Sequence, residues 1–276
     1  MTSAIPTTGA LPAHRPVASA PPQGAWGADV GRTAGQIVHI AEIARDVIEL
    51  VIQPDAPPAW LPGQFLKLGF RGYPARPFSP TGALGRIAGD GKLRLNVKRV
   101  RDGRVTPHLG RAIRTGHEVA IEGPYGEPAT APLEGGGRLV LVGSETGFAP
   151  VWSMACAALR VRADREIVLV AAARTLEAFY MTPALSLASR YPNVSIVATV
   201  DELSTPWRGL LPGLPLAHLP LLTSGDTVYG AGEPDLIAAL ADAAASAGAA
   251  FCSDPYCPVS PRGGWIGSAR SWLKAG

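Results

Sequence analysis

The first half of the chain alternates between hydrophobic and polar positions with the period of β-strands. The segment 92–100 alternates most regularly and is followed by a turn at 101–104. Residues 105–113 predict a short helix, with Thr106 as its N-cap and Pro107 in its first turn. Strands are predicted at 36–42, 46–53, 62–68, 76–79, 92–100 and 118–122. Many short strands with one small helix indicate an antiparallel β-barrel.

The second half has a different pattern, in which continuous apolar runs replace the alternation. Such runs are typical of strands that are buried on both faces of a parallel sheet. Strands are predicted at 138–143, 166–171, 194–200 and 227–230, with helices ending near 159 and spanning 182–189 and 234–247. Alternation of strand and helix predicts an α/β domain with a parallel sheet.

Two segments lack this periodicity. Residues 1–33 are dominated by Pro, Ala, Ser, Thr and Gly, so we expect a disordered tail. They contain no basic region followed by an apolar one, as a secretory signal would. A second stretch rich in Pro, Gly and Ala, 129–137, predicts a linker between the two halves.

Composition narrows the class of protein. The 276 residues are 47% hydrophobic with a net charge of +3, which favours a globular protein of two domains and gives no sign of nucleic-acid binding. No apolar stretch reaches the length of about 20 residues that a membrane span needs. The three cysteines, Cys156, Cys252 and Cys257, are too few for an iron–sulfur cluster with four Cys ligands or for a disulfide framework. We therefore expect a cytoplasmic protein with no metal site.

The segment Arg76-Pro-Phe-Ser79 combines a cation, an aromatic ring and a hydroxyl. Side chains alternate along a strand, so Arg76 and Phe78 share one face. A guanidinium grips an anion and a ring stacks on a heterocycle, which suits a phosphate-bearing aromatic ligand. The alternative is an edge strand with an exposed Arg and a core Phe.

The loop Gly143–Pro150 joins a buried strand to a helix, where the backbone amides and the helix dipole favour a phosphate. It lacks the Gly-x-Gly-x-x-Gly pattern and can also be only a tight connection. Glu145 opposes the phosphate interpretation, because a carboxylate repels an anion.

The order of these pieces resembles the ferredoxin–NADP reductase superfamily, in which a flavin-binding barrel precedes a nicotinamide-nucleotide domain. Arg76-Pro-Phe-Ser79 is similar to the Arg-x-Tyr-Ser motif of that family, with Phe in place of Tyr. The other similar segments are Pro62-Gly-Gln-Phe65, Gly123-Pro-Tyr-Gly126, Gly143–Pro150 and Gly232-Glu-Pro234. The resemblance implies an FAD-binding β-barrel domain at 34–133 and an NAD(P)-binding α/β domain with a C-terminal extension at 134–276.

The resemblance also implies roles for residues of the barrel. Arg76 would hold the flavin phosphates, Phe78 would stack on the isoalloxazine and Ser79 would hydrogen-bond near the flavin N5. Thr106 would contact the FAD pyrophosphate, or serve only as a helix cap. Lys98 would add positive charge there.

In the α/β domain, the resemblance places Gly143, Thr146, Gly147 and Gly232 near the nicotinamide and pyrophosphate of NADH or NADPH. Arg174 follows the second strand, where the adenosine ribose should lie, and it leaves the choice between the two nucleotides open.

The C-terminal region departs from the family pattern in part. Asp254 would relay protons toward the flavin N5 and Tyr256 would cover the flavin, although the same residues can form an ordinary last strand. Ala231 stands where the family has a cysteine, and this departure should lower efficiency without abolishing hydride transfer.

The resemblance implies a reductase that passes electrons from NAD(P)H through FAD to a separate acceptor protein, such as a ferredoxin or an oxygenase component. An acidic partner would suit the basic cluster formed by Lys98, Arg99, Arg101, Arg104, Arg111 and Arg114. Two alternatives remain: a free-flavin reductase, and a non-catalytic flavin- or nucleotide-binding subunit of a larger redox complex.

Overall fold

A computed structural model describes residues 31–84 and 89–255. Each half contains one six-stranded sheet; the strands of the first pair antiparallel and those of the second pair parallel. The predicted order of an antiparallel barrel and a parallel α/β domain is confirmed. Within the described residues, no helix is long and apolar enough to cross a membrane.

The strands of the barrel follow the predicted alternation. They are β1 (Gly31–Ala44), β2 (Val47–Pro54), β3 (Phe65–Phe70), β4 (Arg76–Phe78), β5 (Leu93–Lys98) and β6 (Glu118–Tyr125). Their order in the sheet is β4-β3-β6-β1-β2-β5. The amide of Thr81, just beyond β4, donates to the carbonyl of Arg94 in β5 at 2.9 Å, which brings the two edges of the sheet together.

The alternation along β5 separates the barrel core from the face that meets the second domain. Leu93, Leu95 and Val97 are buried in the barrel core. The intervening side chains point outward, and among them Lys98 reaches the second domain through a contact with Glu145.

The predicted helix at 105–113 is wrong in its extent and in its cap. Only a single 3-10 turn forms, at Thr106–His108, and the backbone is extended again at Leu109. Thr106 lies inside this turn, with Val105 at the cap position. Its hydroxyl oxygen instead accepts a hydrogen bond from the Val100 amide at 2.9 Å, which closes the turn after β5.

The described residues of the α/β half form six strands and four α-helices. The strands are β7 (Leu139–Ser144), β8 (Ile167–Ala173), β9 (Val194–Val200), β10 (Leu211–Pro212), β11 (Thr227–Gly232) and β12 (Ala250–Pro255). The helices are α1 (Ala131–Glu134), α2 (Phe148–Val161), α3 (Thr182–Ala188) and α4 (Pro234–Ala247). The two-residue strand β10 and the single turn α1 were not predicted, because they are too short to give a periodic signal.

The strand order β10-β9-β8-β7-β11-β12 contains a topological switch point. The chain starts at β7, moves outward through β8 and β9 to β10, and then returns to the other side of β7 as β11. Open α/β sheets bind ligands at the carboxyl ends of the strands beside such a reversal. Here the loop after β7 and Gly232 at the end of β11 lie at that position.

The predicted linker is tied to the second domain. Arg165 is only 2% exposed. Its Nε donates to the carbonyl oxygen of Gly137 at 2.9 Å, and its Nη1 donates to the carbonyl oxygen of Pro132 in α1. Leu133 of the same turn packs against the core cluster that contains α2.

Candidate active site at the junction of the two domains

The segment that follows β4 docks on α2. The Ser153 hydroxyl donates to the Pro80 carbonyl at 2.8 Å, and the Arg160 guanidinium donates to the Ala83 carbonyl. Gly82 lies so close that a Cβ there would be 2.9 Å from the Cys156 Sγ. These contacts hold Ser79, the residue before this segment, at the junction of barrel and sheet.

Ser79 meets Asp254 at this junction. Asp254 lies in β12 beside Ala231 of β11, and the Ser79 hydroxyl lies close enough to its carboxyl group to affect the pKa. Burial raises the pKa of Asp254 to about 6, although the nearby Ser79 hydroxyl acts in the opposite direction. The two residues predicted to be catalytic are therefore neighbours, and the carboxyl group titrates near neutral pH.

Arg76 and Phe78 occupy both ends of β4. Phe78 pairs with Leu66 and packs its partly buried ring against the barrel core. The Arg76 guanidinium donates to the adjacent Ala75 carbonyl at 3.1 Å. No ion pair joins Arg76 to a carboxylate anywhere in residues 31–84 and 89–255, so its charge is available to an anionic ligand.

The turn that contains Thr106 lies near the loop before β4. The rings of Tyr73 and His108 have centroids 5.0 Å apart, and this contact joins the two segments. Arg76 and Thr106 therefore lie on neighbouring segments of the barrel, although they are 30 positions apart in the sequence.

The predicted glycines at the carboxyl ends of β7 and β11 allow the two loops to pack closely. A Cβ on Gly147 would lie 2.5 Å from the carbonyl oxygen of Ala231. Gly232 has a φ of +150°, and a Cβ there would lie 2.2 Å from the Ser144 Oγ. Gly143 is the penultimate residue of β7, and Thr146 is buried in the turn that follows this strand. The glycines thus have a packing function in addition to any contact with a nucleotide.

Glu145 crosses from this loop to the barrel. Its Oε2 lies 3.0 Å from the Lys98 Nζ, and its Oε1 accepts a hydrogen bond from the Arg174 amide at 2.8 Å. Its carbonyl oxygen accepts from the Tyr180 hydroxyl at 3.4 Å. Lys98, predicted to add charge near FAD, therefore faces the loop of the second domain.

Two carboxylates beside Arg174 were missed by the sequence analysis. Asp201 and Glu202 directly follow β9, and their amides donate to the carbonyls of Ala173 and Arg174 at 3.0 Å. All three charged side chains are exposed at the carboxyl ends of β8 and β9. The signal was present, because an acidic pair at the end of a parallel strand lies where a nucleotide ribose binds.

Tyr256, predicted to cover the flavin, lies outside the described residues. Nothing in the structure therefore bears on that prediction.

The two halves match sequence models of two known domains. The oxidoreductase FAD-binding domain matches residues 34–129, and the oxidoreductase NAD-binding domain matches residues 141–242. The chain thus contains an oxidoreductase FAD-binding domain followed by an oxidoreductase NAD-binding domain. It belongs to the ferredoxin–NADP reductase superfamily.

Curated relatives include reductase components of oxygenase systems. The ferredoxin–NAD(P)(+) reductase component of naphthalene 1,2-dioxygenase/salicylate 5-hydroxylase systems of Ralstonia sp. is 30% identical over 212 residues, which are 75% of this chain and 62% of that protein. The reductase subunit of an aromatic O-demethylase of Amycolatopsis sp. is 30% identical over 198 residues, 67% of this chain and 58% of that protein. The chain spans less than two thirds of the length of either relative.

Solved structures share the fold. An Amycolatopsis cytochrome P450 reductase superposes with a TM-score of 0.74 at 25% identity, covering 84% of this chain and 71% of that one. The ferredoxin reductase in carbazole 1,9a-dioxygenase gives a TM-score of 0.71 at 21% identity, with the same coverage of 84% and 71%.

Proposed function

We propose that the protein is an NAD(P)H-dependent flavoprotein reductase that passes electrons through FAD to a separate one-electron acceptor. The observation that carries this proposal is the contact between Ser79 and Asp254 at the junction of an FAD-binding and an NAD-binding domain. A reductase of this kind needs a flavin edge and a nicotinamide brought together between the two domains. FAD, when bound, accepts a hydride and releases the two electrons singly.

The barrel residues fit the parts of FAD. The Arg76 guanidinium has no carboxylate partner in the described part of the chain and can hold a phosphate. Phe78 keeps part of its ring exposed for stacking, and Thr106 lies on the neighbouring turn. Ser79 supplies a hydroxyl to the reacting edge, and Asp254 takes up or returns a proton through it.

We propose that NADH is preferred over NADPH. If the nicotinamide lies beside Ser79 and Asp254, near β11 and β12, then the adenosine extends over β8 and β9. The 2′-position of the ribose then lies near Arg174, Asp201 and Glu202. A carboxylate hydrogen-bonds the 2′-hydroxyl of NADH but repels the 2′-phosphate of NADPH.

We propose a ferredoxin or an oxygenase component as the acceptor. The relatives described above are reductase components of oxygenase systems, which supports an acceptor on another protein. Four arginines of the basic cluster are exposed, namely Arg101, Arg104, Arg111 and Arg114. Clustered positive charge attracts an acidic protein and increases its rate of association.

An anaerobic titration tests the reductase function. The full chain, loaded with FAD and freed of excess flavin by gel filtration, is mixed with NADH or NADPH, and the flavin absorption band is followed. We expect bleaching by NADH. Bound flavin that neither nucleotide bleaches would contradict the proposal and favour a non-catalytic subunit. Flavin that is lost on the column but is reduced in solution would favour a free-flavin reductase.

A further inference from the structure

Glu145 has an unusual backbone conformation for its residue type. Its φ is +52°, in the left-handed region that residues with a Cβ rarely adopt. The residue is also only 7% exposed, so its carboxylate is withdrawn from water. Strain of this kind persists only where the surroundings fix it, and it is concentrated at functional sites.

The contacts of Glu145 explain what fixes the conformation. One carboxylate oxygen binds the Lys98 ammonium of the barrel, and the other binds the Arg174 amide at the end of β8. A cation and a backbone N–H are also the groups with which proteins hold phosphates. The carboxylate therefore occupies positions suited to phosphate oxygens.

The position of Glu145 in the fold strengthens this comparison. It lies in the loop between β7 and α2, at the topological switch point where the nucleotide phosphates are expected. Helix α2 begins with neither a side-chain cap nor an acidic residue in its first turn. The first turn of α2 therefore contributes no negative charge of its own that would repel an anion.

We propose that the Glu145 carboxylate is an internal substitute for the nucleotide pyrophosphate, which displaces it from Lys98 when NAD(P)H binds. This inference rests on the proposed function, because it assumes that the loop after β7 binds the nucleotide. Binding then breaks a contact between the two domains, since Lys98 belongs to the barrel and Glu145 to the α/β domain. In the nucleotide-free protein, the Glu145 carboxylate binds Lys98 and links the two domains. When the nucleotide binds, its pyrophosphate replaces the carboxylate as the partner of Lys98.

The test measures the Kd of NAD⁺ for the FAD-loaded full chain, because the oxidised nucleotide binds without turnover. Glu145→Gln keeps an acceptor for the Arg174 amide and removes the charge. We expect the Kd to fall about tenfold, because a neutral side chain no longer competes with the pyrophosphate for the Lys98 ammonium. Glu145→Gly should act in the same direction, and it suits a φ of +52°.

Glu42 provides a matched control. Its carboxylate binds Arg99 at 2.6 Å and the Asp46 amide at 3.2 Å, so it pairs with a cation and a backbone N–H as Glu145 does, but within the barrel. Glu42→Gln should leave the Kd of NAD⁺ unchanged.

Lys98→Gln provides the decisive comparison. With Lys98 absent, NAD⁺ should bind more weakly, and adding Glu145→Gln should then restore little affinity, because the competition for Lys98 is gone. The inference is overturned if neither Glu145 variant binds NAD⁺ more tightly than the parent, or if the gain is as large without Lys98. Failure of the proposed reductase function would be seen in a separate experiment: NADH would not bleach the flavin bound to the parent protein.

Discussion

The Ser79 hydroxyl lies close enough to Asp254 to lower the pKa of its carboxyl group, so the residue after the shortest described barrel strand meets the last described strand of the parallel sheet. The two residues lie 175 positions apart in the sequence. They meet because the segment after Ser79 docks on α2 and because β12 pairs with β11 at the edge of the sheet.

The activity should depend on pH through Asp254. Because its pKa is raised to about 6, the carboxyl group changes from acid to base in the middle of the accessible pH range. If it accepts protons through Ser79, the reductase rate should rise with pH through about 6 and then level off. The Asp254→Asn variant should have a lower reductase rate, and its rate should not rise with pH through this range. The pH profile of acceptor reduction by the FAD-loaded protein measures the rate and its pH dependence. If the variant kept the same rise near pH 6, the rise would belong to another titrating group.

The same carboxyl group should affect folding. Its pKa is higher in the folded chain than the ordinary value of 3.8, so the folded state binds more protons between pH 4 and 6. Stability should therefore fall as the pH rises through this window. Above pH 7, Asp254→Asn should raise the free energy of unfolding by ~2 kcal/mol, a value reduced for partial exposure.

Asp226 is the control for that measurement because its pKa is shifted the other way. Burial alone would raise its pKa, but the ion pair with Arg138 at 2.8 Å lowers it below the ordinary value. Asp226→Asn should therefore destabilise the protein at pH 7. Urea unfolding at pH 5 and 7.5 separates the two variants, and equal changes in both would contradict the assignment.

Arg76 and Ser79 should have separable functions. Arg76→Ala should weaken FAD retention roughly tenfold or more, because a charge-assisted phosphate contact is lost. Ser79→Ala should retain FAD and slow its reduction by NADH. Flavin content after gel filtration and stopped-flow reduction measure the two effects. If both variants keep the same flavin content and the same rate, this segment is an ordinary edge strand.

The preference for NADH over NADPH should decrease when the carboxylates after β9 are neutralised. The double variant Asp201→Asn/Glu202→Gln should improve use of NADPH relative to NADH by about tenfold, because repulsion of the 2′-phosphate is removed while Arg174 remains. The ratio of kcat/KM values for the two donors measures this. Asp164→Asn, a neutralised exposed carboxylate that follows α2, is the matched control. If the ratio of kcat/KM values is unchanged in the double variant, the adenosine ribose does not bind beside these carboxylates.

The close approach of the loops after β7 and β11 should be sensitive to a single methyl group. Gly232→Ala should destabilise the fold by about 2–4 kcal/mol, because its Cβ would overlap the Ser144 Oγ and its φ disfavours a side chain. Ser144→Ala should be nearly neutral, since that hydroxyl is buried without a hydrogen-bond partner among the described residues. Combining the two should recover part of the loss. Thermal unfolding of all three variants gives the comparison.

The elements that could be predicted from the sequence are those with a regular pattern of hydrophobic positions. The alternation along β5 and the apolar runs of β7 and β8 predicted both sheets, because burial on one face or on two leaves a different pattern. The extent of the helix after Val105 was wrong, because the Thr106 hydroxyl bonds back to Val100 and its preference for a cap position could not show this.

Some residues of the candidate site were predicted from the sequence and others were not, again because only local patterns can be recognised. Ser79 and Asp254 came from the family resemblance, and the structure brings them together. From the sequence, Glu145 was predicted only to oppose phosphate binding, because its partner Lys98 lies 47 positions away in another domain. Contacts of this range follow from the docking of the two domains, which no local pattern encodes.

The guanidinium of Arg165 limits how the protein can be divided. A division at residue 134 would cut the helical turn α1 and remove the Pro132 carbonyl from the α/β fragment, while Arg165 stayed buried there. An isolated α/β fragment should therefore begin before Ala131. The stretch between the domains is then better treated as the first piece of the second folding unit than as a spacer, and an insertion intended to lengthen the tether belongs ahead of it.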